Sequence, residues 1–298
     1  MSFKNLLVYR FEENSLLSNA ETLEQFEAAL SAKPLTPCLT QEMESLGWLP
    51  MFKEGAQYVE KINNALFIRL GVEQKQLPNS AIKTAVDKKI EEKKLKHVSR
   101  SEMKELHELV TNELLPNALV VRDSVIAYVD LEKGWLVVDA SSTKKASLLT
   151  SHLRKTLGTL PIVPFTPEYS VNASLTHWAL HGIESDVLSM LDEIELKELK
   201  DEGGNAKFKG VALDSKEVQD PLKEGWQVTK LALEYDEQIS FSLAGDFIFK
   251  RLKFLERFEE NLDTEDDPLL QMQAELYLAV DLYRKMISHA YNQVNTGR

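Results

Sequence analysis

Between Asp139 and Glu168 the chain holds no acidic residue, yet the window carries Lys144, Lys145, His152, Arg154 and Lys155. The whole sequence has a formal charge of -12, so this gap is a segregated cationic segment. Grouped Lys and Arg suit a polyanion, because phosphates are held through charge and without regard to sequence. A helix read over Thr143 to Leu157 places Lys144 and Lys145 in its first turn and Arg154 and Lys155 in its last. Positive charge suits a helix C-terminus and not its N-terminus. A phosphate received at the helix N-terminus beside Lys144 and Lys145 would account for that pair. Lys250, Arg251, Lys253 and Arg257 form a second cluster, with Lys250 and Arg251 expected on opposite faces of a strand. Lys207 and Lys209 share a strand face just after Gly203-Gly204, and Lys230 falls in the neighbouring strand. Lys along a sheet edge also blocks edge-to-edge pairing, so charge alone leaves both readings open.

Other chemistry has weaker support. His177 and His181, four apart on a helix, would put two imidazoles on one face, but nothing nearby completes a zinc shell. Glu193, Glu195, Glu198, Asp201 and Glu202 read as the solvated face of a helix around Leu191, Ile194 and Leu199. The acids from Asp263 to Asp267 suit the start of a helix. Cys38 has no context that would activate it and reads as a packed thiol. The sequence contains no GxGxxG, GxxxxGK[ST], GxSxG or HExxH pattern.

Positioning these groups falls to a mixed set of elements. Phe3 to Phe11 and Asn64 to Val72 read as strands and Glu21 to Leu30 as a short amphipathic helix. Pro34 and Pro37 break the chain, and Gly47-Trp48-Leu49-Pro50 reads as a turn with a buried anchor. Ser80 to Leu115, free of Gly and Pro, reads as one long helix or a pair broken near Val98-Ser99, capped at Asn79 or Ser80. Its thin apolar stripe predicts an arm packed on one side only. Val120 to Asp130 and Gly134 to Ala140 form a hairpin, and Gly158 closes the helix that follows. Pro161, Pro164 and Pro167 mark a connection. Ser174 to Gly182 and Val187 to Lys200 read as short helices. Trp226 to Tyr235, Gln238 to Leu243 and Phe247 to Phe254 form a meander, and a last helix runs from Pro268 to about Asn292. The expectation is an α+β fold of antiparallel sheets with flanking helices and a long helical arm. Residues 1–75 and 118–167 make a central α/β portion, 76–117 the arm, and 168–298 a second α/β portion with the meander and C-terminal helix.

Composition sets the outer bounds. At 298 residues, 43% hydrophobic and 28% charged, the chain is globular rather than disordered. No run approaches the roughly 18–20 apolar residues of a membrane span, and the first residues do not read as a signal peptide. One cysteine fits a reducing cytoplasm.

A series of short segments occurs in a familiar order. They are Lys4-Asn5-Leu6-Leu7-Val8-Tyr9-Arg10, Leu35-Thr36-Pro37-Cys38, Gly47-Trp48-Leu49-Pro50, and Leu77-Pro78 with Ile82-Lys83. Leu114-Leu115-Pro116, Lys144-Lys145-Ala146, Leu153-Arg154-Lys155 and Leu160-Pro161-Ile162-Val163-Pro164 follow. Val228-Thr229-Lys230-Leu231-Ala232-Leu233 and Lys250-Arg251-Leu252-Lys253-Phe254 complete the set. Together they span residues 4 to 254, and the chain resembles the bacterial recombination-associated protein RdgC family. The resemblance implies a non-enzymatic DNA-binding protein without cofactor or metal. It implies a ring-shaped homodimer whose positively charged hole encircles double-stranded DNA without sequence preference; single-stranded DNA stays open. It further implies restraint of RecA-promoted strand exchange and a cytoplasmic, nucleoid-associated location.

By position, the resemblance carries DNA contacts to Lys83, Lys144, Lys145, Arg154, Lys155, Lys230, Lys250, Arg251 and Lys253. After Gly203-Gly204 the sequence departs from the family pattern, and Lys207 and Lys209 stand in there. Apolar positions expected to close the ring are Leu115 and Leu119 in the segment Leu114 to Val121, and Leu276 and Tyr283 on the last helix. The alternative is a protein-interaction module that acts directly on a recombination protein, with little DNA role.

Overall fold

The structure is a computed structural model, and it describes residues 3–12, 20–52, 57–94, 97–200, 203–262 and 265–296. Its strands form one sheet of twelve, and every ladder between them is antiparallel. The first half contains β1 (Asn5–Phe11), β2 (Glu44–Leu49), β3 (Val59–Ile62), β4 (Ala65–Gln76), β5 (Leu119–Asp130), β6 (Trp135–Val138) and β7 (Ile162–Pro164). The second contains β8 (Leu188–Lys197), β9 (Asn205–Lys209), β10 (Gln227–Tyr235), β11 (Ile239–Ala244) and β12 (Phe249–Phe254). Across the sheet the order is β2-β4-β5-β6-β1-β12-β11-β10-β8-β9, with β3 beside β4 and β7 beside β1. β1 is the seam, since Leu7 to Arg10 pair with β6 while Asn5 and Leu6 pair with Lys250 and Phe249 of β12.

Helices cover the two faces unequally. α5 (Val171–His181), α6 (Lys216–Lys223) and α8 (Pro268–Thr296) pack on one face, around Phe3, Phe67, Tyr128, Leu231, Phe241 and Tyr283. α1 (Ala20–Ser31) and α4 (Thr143–Leu157) pack on the other, over Leu7, Leu66, Ile68, Val129 and Leu136. They reach the first half alone. There both faces are covered, and strands read as continuous apolar runs such as Ala65-Leu66-Phe67-Ile68 and Trp135-Leu136-Val137-Val138, all buried. In the second half no helix among the described residues covers the α1/α4 side, and polar residues alternate with buried ones.

α2 (Asn79–Glu92) and α3 (Arg100–Leu114) form a helical hairpin closed by its own small core of Val86, Leu106 and Val110. Of the two readings of Ser80 to Leu115, the broken pair is the one found. Ser99 starts α3 with a capping box: its hydroxyl accepts from the Glu102 amide, and the Glu102 carboxylate accepts from the Ser99 amide. α2 begins after Pro78, without the side-chain cap expected from Asn79 or Ser80. α7 (Glu256–Glu259) is a single turn.

Two expectations are corrected. Gly47-Trp48-Leu49 lies inside β2 rather than in a turn, with Trp48 fully buried. A Cβ at Gly47 would come within 2.4 Å of the Leu35 backbone, so only glycine lets this strand approach the Pro34–Leu35 segment. Residues Val187 to Lys200 form strand β8, not a helix. The cause is a bulge: between Ile194 and Met190 the chain takes four steps while β10 takes two, from Leu231 to Leu233. That insertion breaks the period of two and makes Leu188, Leu191 and Ile194 recur at helix-like spacing. The sequence also gave no sign of β3 or α6.

Candidate nucleic-acid interface

The face left open in the second half collects six of the cations singled out above: Lys207, Lys209, Lys230, Lys250, Arg251 and Lys253. On β10, Leu231, Leu233 and Tyr235 point into the core, so Lys230, Ala232 and Glu234 take the open side. Lys230 stands opposite Glu195, Glu195 opposite Lys207, and Glu193 opposite Lys209, which places β8 and β9 residues on the same side. Lys250 and Lys253 stand opposite Ser242 and Ser240 of β11.

Arg251 joins them through a distortion. Three steps on β12, from Lys250 to Lys253, match two on β11, and Arg251 adopts φ of 56°. A left-handed backbone is unfavourable for a residue with a side chain, and a bulge re-aims the group that carries it. The guanidinium lies across the open face and grips Glu193 with two bonds, Nη1–Oε2 at 3.1 Å and Nη2–Oε1 at 2.6 Å. Lys250 and Arg251 therefore serve the same face, against the expectation of opposite ones.

Two carboxylates knit this floor together. Lys207 Nζ lies 3.2 Å from Glu193 and 3.1 Å from Glu195, and Lys230 donates to Glu195 as well. Glu193 is thus held well below the usual carboxylate range, at about 2, first by the Arg251 hydrogen bonds and then by Lys207 against the cost of burial. Burial opposes the charge of Glu195, but Lys230 and Lys207 outweigh it and its pKa is also lowered. A carboxylate with a depressed pKa stabilises the fold above its unfolded value and loses that contribution as pH falls. Glu193→Gln should therefore lose less stability than the parent chain between pH 4.5 and about 2, read by thermal melts across that range. Parallel losses would contradict the pairing. The expected solvated helix face of Glu193 and Glu195 is thus a paired strand face; Glu198 accepts from the Gly204 amide, and Asp201 and Glu202 fall outside the described residues.

The same side of the sheet carries α4. Its apolar stripe of Ala146, Leu149, Thr150 and Leu153 is buried, which leaves Lys144, Arg154 and Lys155 exposed along the outer surface. These three make no ion pair among the described residues. Lys145 does, with Asp123 of β5 at 3.5 Å, so an acid distant in sequence meets the pair that looked unopposed. Ser142 caps the helix by accepting from the Lys145 amide at 3.3 Å, so one of the amides expected to receive a phosphate is taken. Hydrogen bonds link helix start to floor: Asp139 accepts from the Asn5 amide at 2.9 Å, and Asn5 Oδ1 accepts from the Arg251 amide at 3.4 Å.

The sequence missed Lys33 and Lys197. Lys33 donates to the Lys155 carbonyl at 2.6 Å, at the end of α4, from a proline-bounded connection with no periodicity to flag it. Lys197 is exposed on β8, where the helical reading hid its face. Lys83 is exposed on α2, in the separate hairpin.

Of the positions expected to close a dimer, Leu115, Leu276 and Tyr283 are 2%, 1% and 1% exposed and are used inside the protomer. Leu119 is 73% exposed and begins a run with Val120 and Val121 on β5, where β6 pairs only with Ala127 to Asp130. Leu270 and Tyr277 are the exposed apolar residues of α8.

The His177 and His181 rings lie 4.7 Å apart, and no group of three His, Cys, Asp or Glu that could hold a metal occurs among the described residues. No helix there is long and apolar enough to cross a membrane.

Comparison with known proteins adds an independent line. A family model described as "Putative exonuclease, RdgC" matches residues 1–295. The chain is 34% identical over 293 residues to the recombination-associated protein RdgC of Pseudoalteromonas translucida, covering 96% of this chain and 95% of that protein. It is 36% identical over 284 residues to the protein of the same name from Shewanella frigidimarina, covering 93% and 92%. The Salmonella paratyphi B protein of that name is 34% identical over 271 residues, covering 89% and 88%.

Proposed function

The chain belongs to the RdgC family, and from that premise we propose that it is a non-enzymatic, sequence-indifferent binder of duplex DNA. In this reading it closes as a ring-shaped homodimer around the duplex and restrains RecA-promoted recombination at the cytoplasmic nucleoid. One observation carries it: a chain of net charge -12 gathers the exposed cations of α4 and those of the open sheet face on one side of its sheet. Such a surface neutralises phosphates and releases their counterions, while the acidic remainder repels the duplex elsewhere.

A ring of two needs two self-complementary contacts. The Leu119-Val120-Val121 edge of β5 offers backbone groups and apolar side chains to a second copy. Leu270 and Tyr277 of α8 offer the other.

The test is fluorescence anisotropy with labelled linear duplexes of unrelated sequence across a salt series. Binding that is alike for all sequences and falls steeply with salt is expected. No binding at low salt would overturn the reading and favour direct action on a recombination protein. Shortening of the labelled strand on incubation with Mg²⁺ would establish an exonuclease instead.

A further inference from the structure

On the open face of the sheet, the strongest cation is already occupied. Arg251 makes the paired, parallel hydrogen bonds to Glu193 that a guanidinium would otherwise make to a phosphate. Lys207 bridges Glu193 and Glu195, and Lys230 is spent on Glu195. The arrangement is built rather than incidental. Arg251 reaches across from β12 to β8 only through its bulge and left-handed backbone. Glu193 is 12% exposed, sunk among the cations it binds. Lys209, Lys250 and Lys253 on the same face have no such partner among the described residues.

We propose that Glu193 and Glu195 form an internal latch that holds Arg251, Lys207 and Lys230 in place of DNA phosphates. The proposal rests on the duplex-binding reading above and assigns these carboxylates the role of limiting the grip. A phosphate reaching this floor must displace a carboxylate, so one ion pair is exchanged for another. Cations already neutralised by the protein release few counterions from DNA. The floor thus contributes little to affinity, while the unpaired Lys144, Arg154 and Lys155 of α4 hold the duplex. A weak floor beside a firm wall keeps an encircling protein mobile along its track.

The test is the Glu193→Gln/Glu195→Gln double variant, with anisotropy on a labelled linear duplex over a salt series. Glu234→Gln is the control, because Glu234 lies on the same face of β10 and makes no ion pair among the described residues. The double variant should bind about tenfold or more tighter at ~0.15 M salt, with a log–log slope steeper by roughly two to three per protomer as three cations turn to phosphates. Each single variant should fall between, and Glu234→Gln should stay within about twofold of the parent, since it removes charge without freeing a cation. Melting curves confirm that the variants fold. If the parent binds and the double variant binds equally or more weakly, or if Glu234→Gln gains as much, the latch is overturned. If neither parent nor variant binds at low salt, the duplex-binding reading falls and takes the latch with it.

Discussion

Replacing Lys144, Lys145, Arg154 and Lys155 together by Ala should reduce affinity for duplex DNA by about 10³-fold or more at 0.1–0.2 M salt. In a two-fold dimer the three unpaired cations, Lys144, Arg154 and Lys155, occur twice, while Lys145 is already met by Asp123. Each phosphate contact contributes roughly 0.9 to the log–log salt slope, and interfaces of 6–10 contacts change affinity by about 10³–10⁵ between 50 and 200 mM salt. The slope should therefore flatten by roughly 5, and the loss should be the same for every sequence. Stability should hardly change. The four side chains point outward from α4, and the single ion pair among them, Lys145 with Asp123, is a surface pair worth about 0–1 kcal/mol. Ala also suits a helix interior. An unchanged slope in a normally folded variant would remove α4 from the interface.

The second large effect concerns stability. Arg284→Met should cost about 3–5 kcal/mol, because it strands a buried carboxylate. Asp130 is fully buried at the end of β5 and takes two bonds from Arg284, Nε at 2.7 Å and Nη2 at 3.0 Å. Arg284 is 4% exposed on α8 and also donates to the Asn63 carbonyl at 2.8 Å. The pair ties α8 to the turn that follows β5, where Asp130 accepts from the amides of Glu132 and Lys133. Adding Asp130→Asn to Arg284→Met should recover part of the loss, since a neutral amide is cheaper to bury and its oxygen still serves the turn. Thermal or denaturant melts of the single and double variants read this directly. A double variant no better than Arg284→Met would show that the buried charge is not what makes the site sensitive.

Much of this arrangement was legible in the residues. The amphipathic period of Thr143 to Leu157, ended by Gly158 at φ of 81°, located α4 and its outward cations. The meander was legible because alternation and the Asp236-Glu237 turn agree; both turn residues take positive φ, as a tight hairpin requires. What was hidden depends on register. Bulges in β8 and β12 shift which side a residue faces, and no pattern within a strand reveals extra residues that are defined only by its register against a partner strand. So the helical reading of Val187 to Lys200 and the split of Lys250 from Arg251 failed together. Asp123 opposing Lys145 was invisible for a related reason: the two meet through packing of α4 on β5. Leu115, Leu276 and Tyr283 were read as apolar and available, but apolarity does not distinguish a protomer's own core from a surface kept for a partner.

The seam strand imposes an order on folding. β1 is made first, yet the partner that joins it to the second half, Lys250 opposite Asn5, lies about 245 positions later. At synthesis rates of 5–20 residues per second, that partner emerges roughly 10–50 s after β1. For that interval the Asn5-Leu6 stretch of β1, beyond the part that β7 covers, is an unpaired strand edge and a template for wrong pairing. The two halves of the sheet can each condense from contacts closer in sequence, so their union through β1 is the late and slow event.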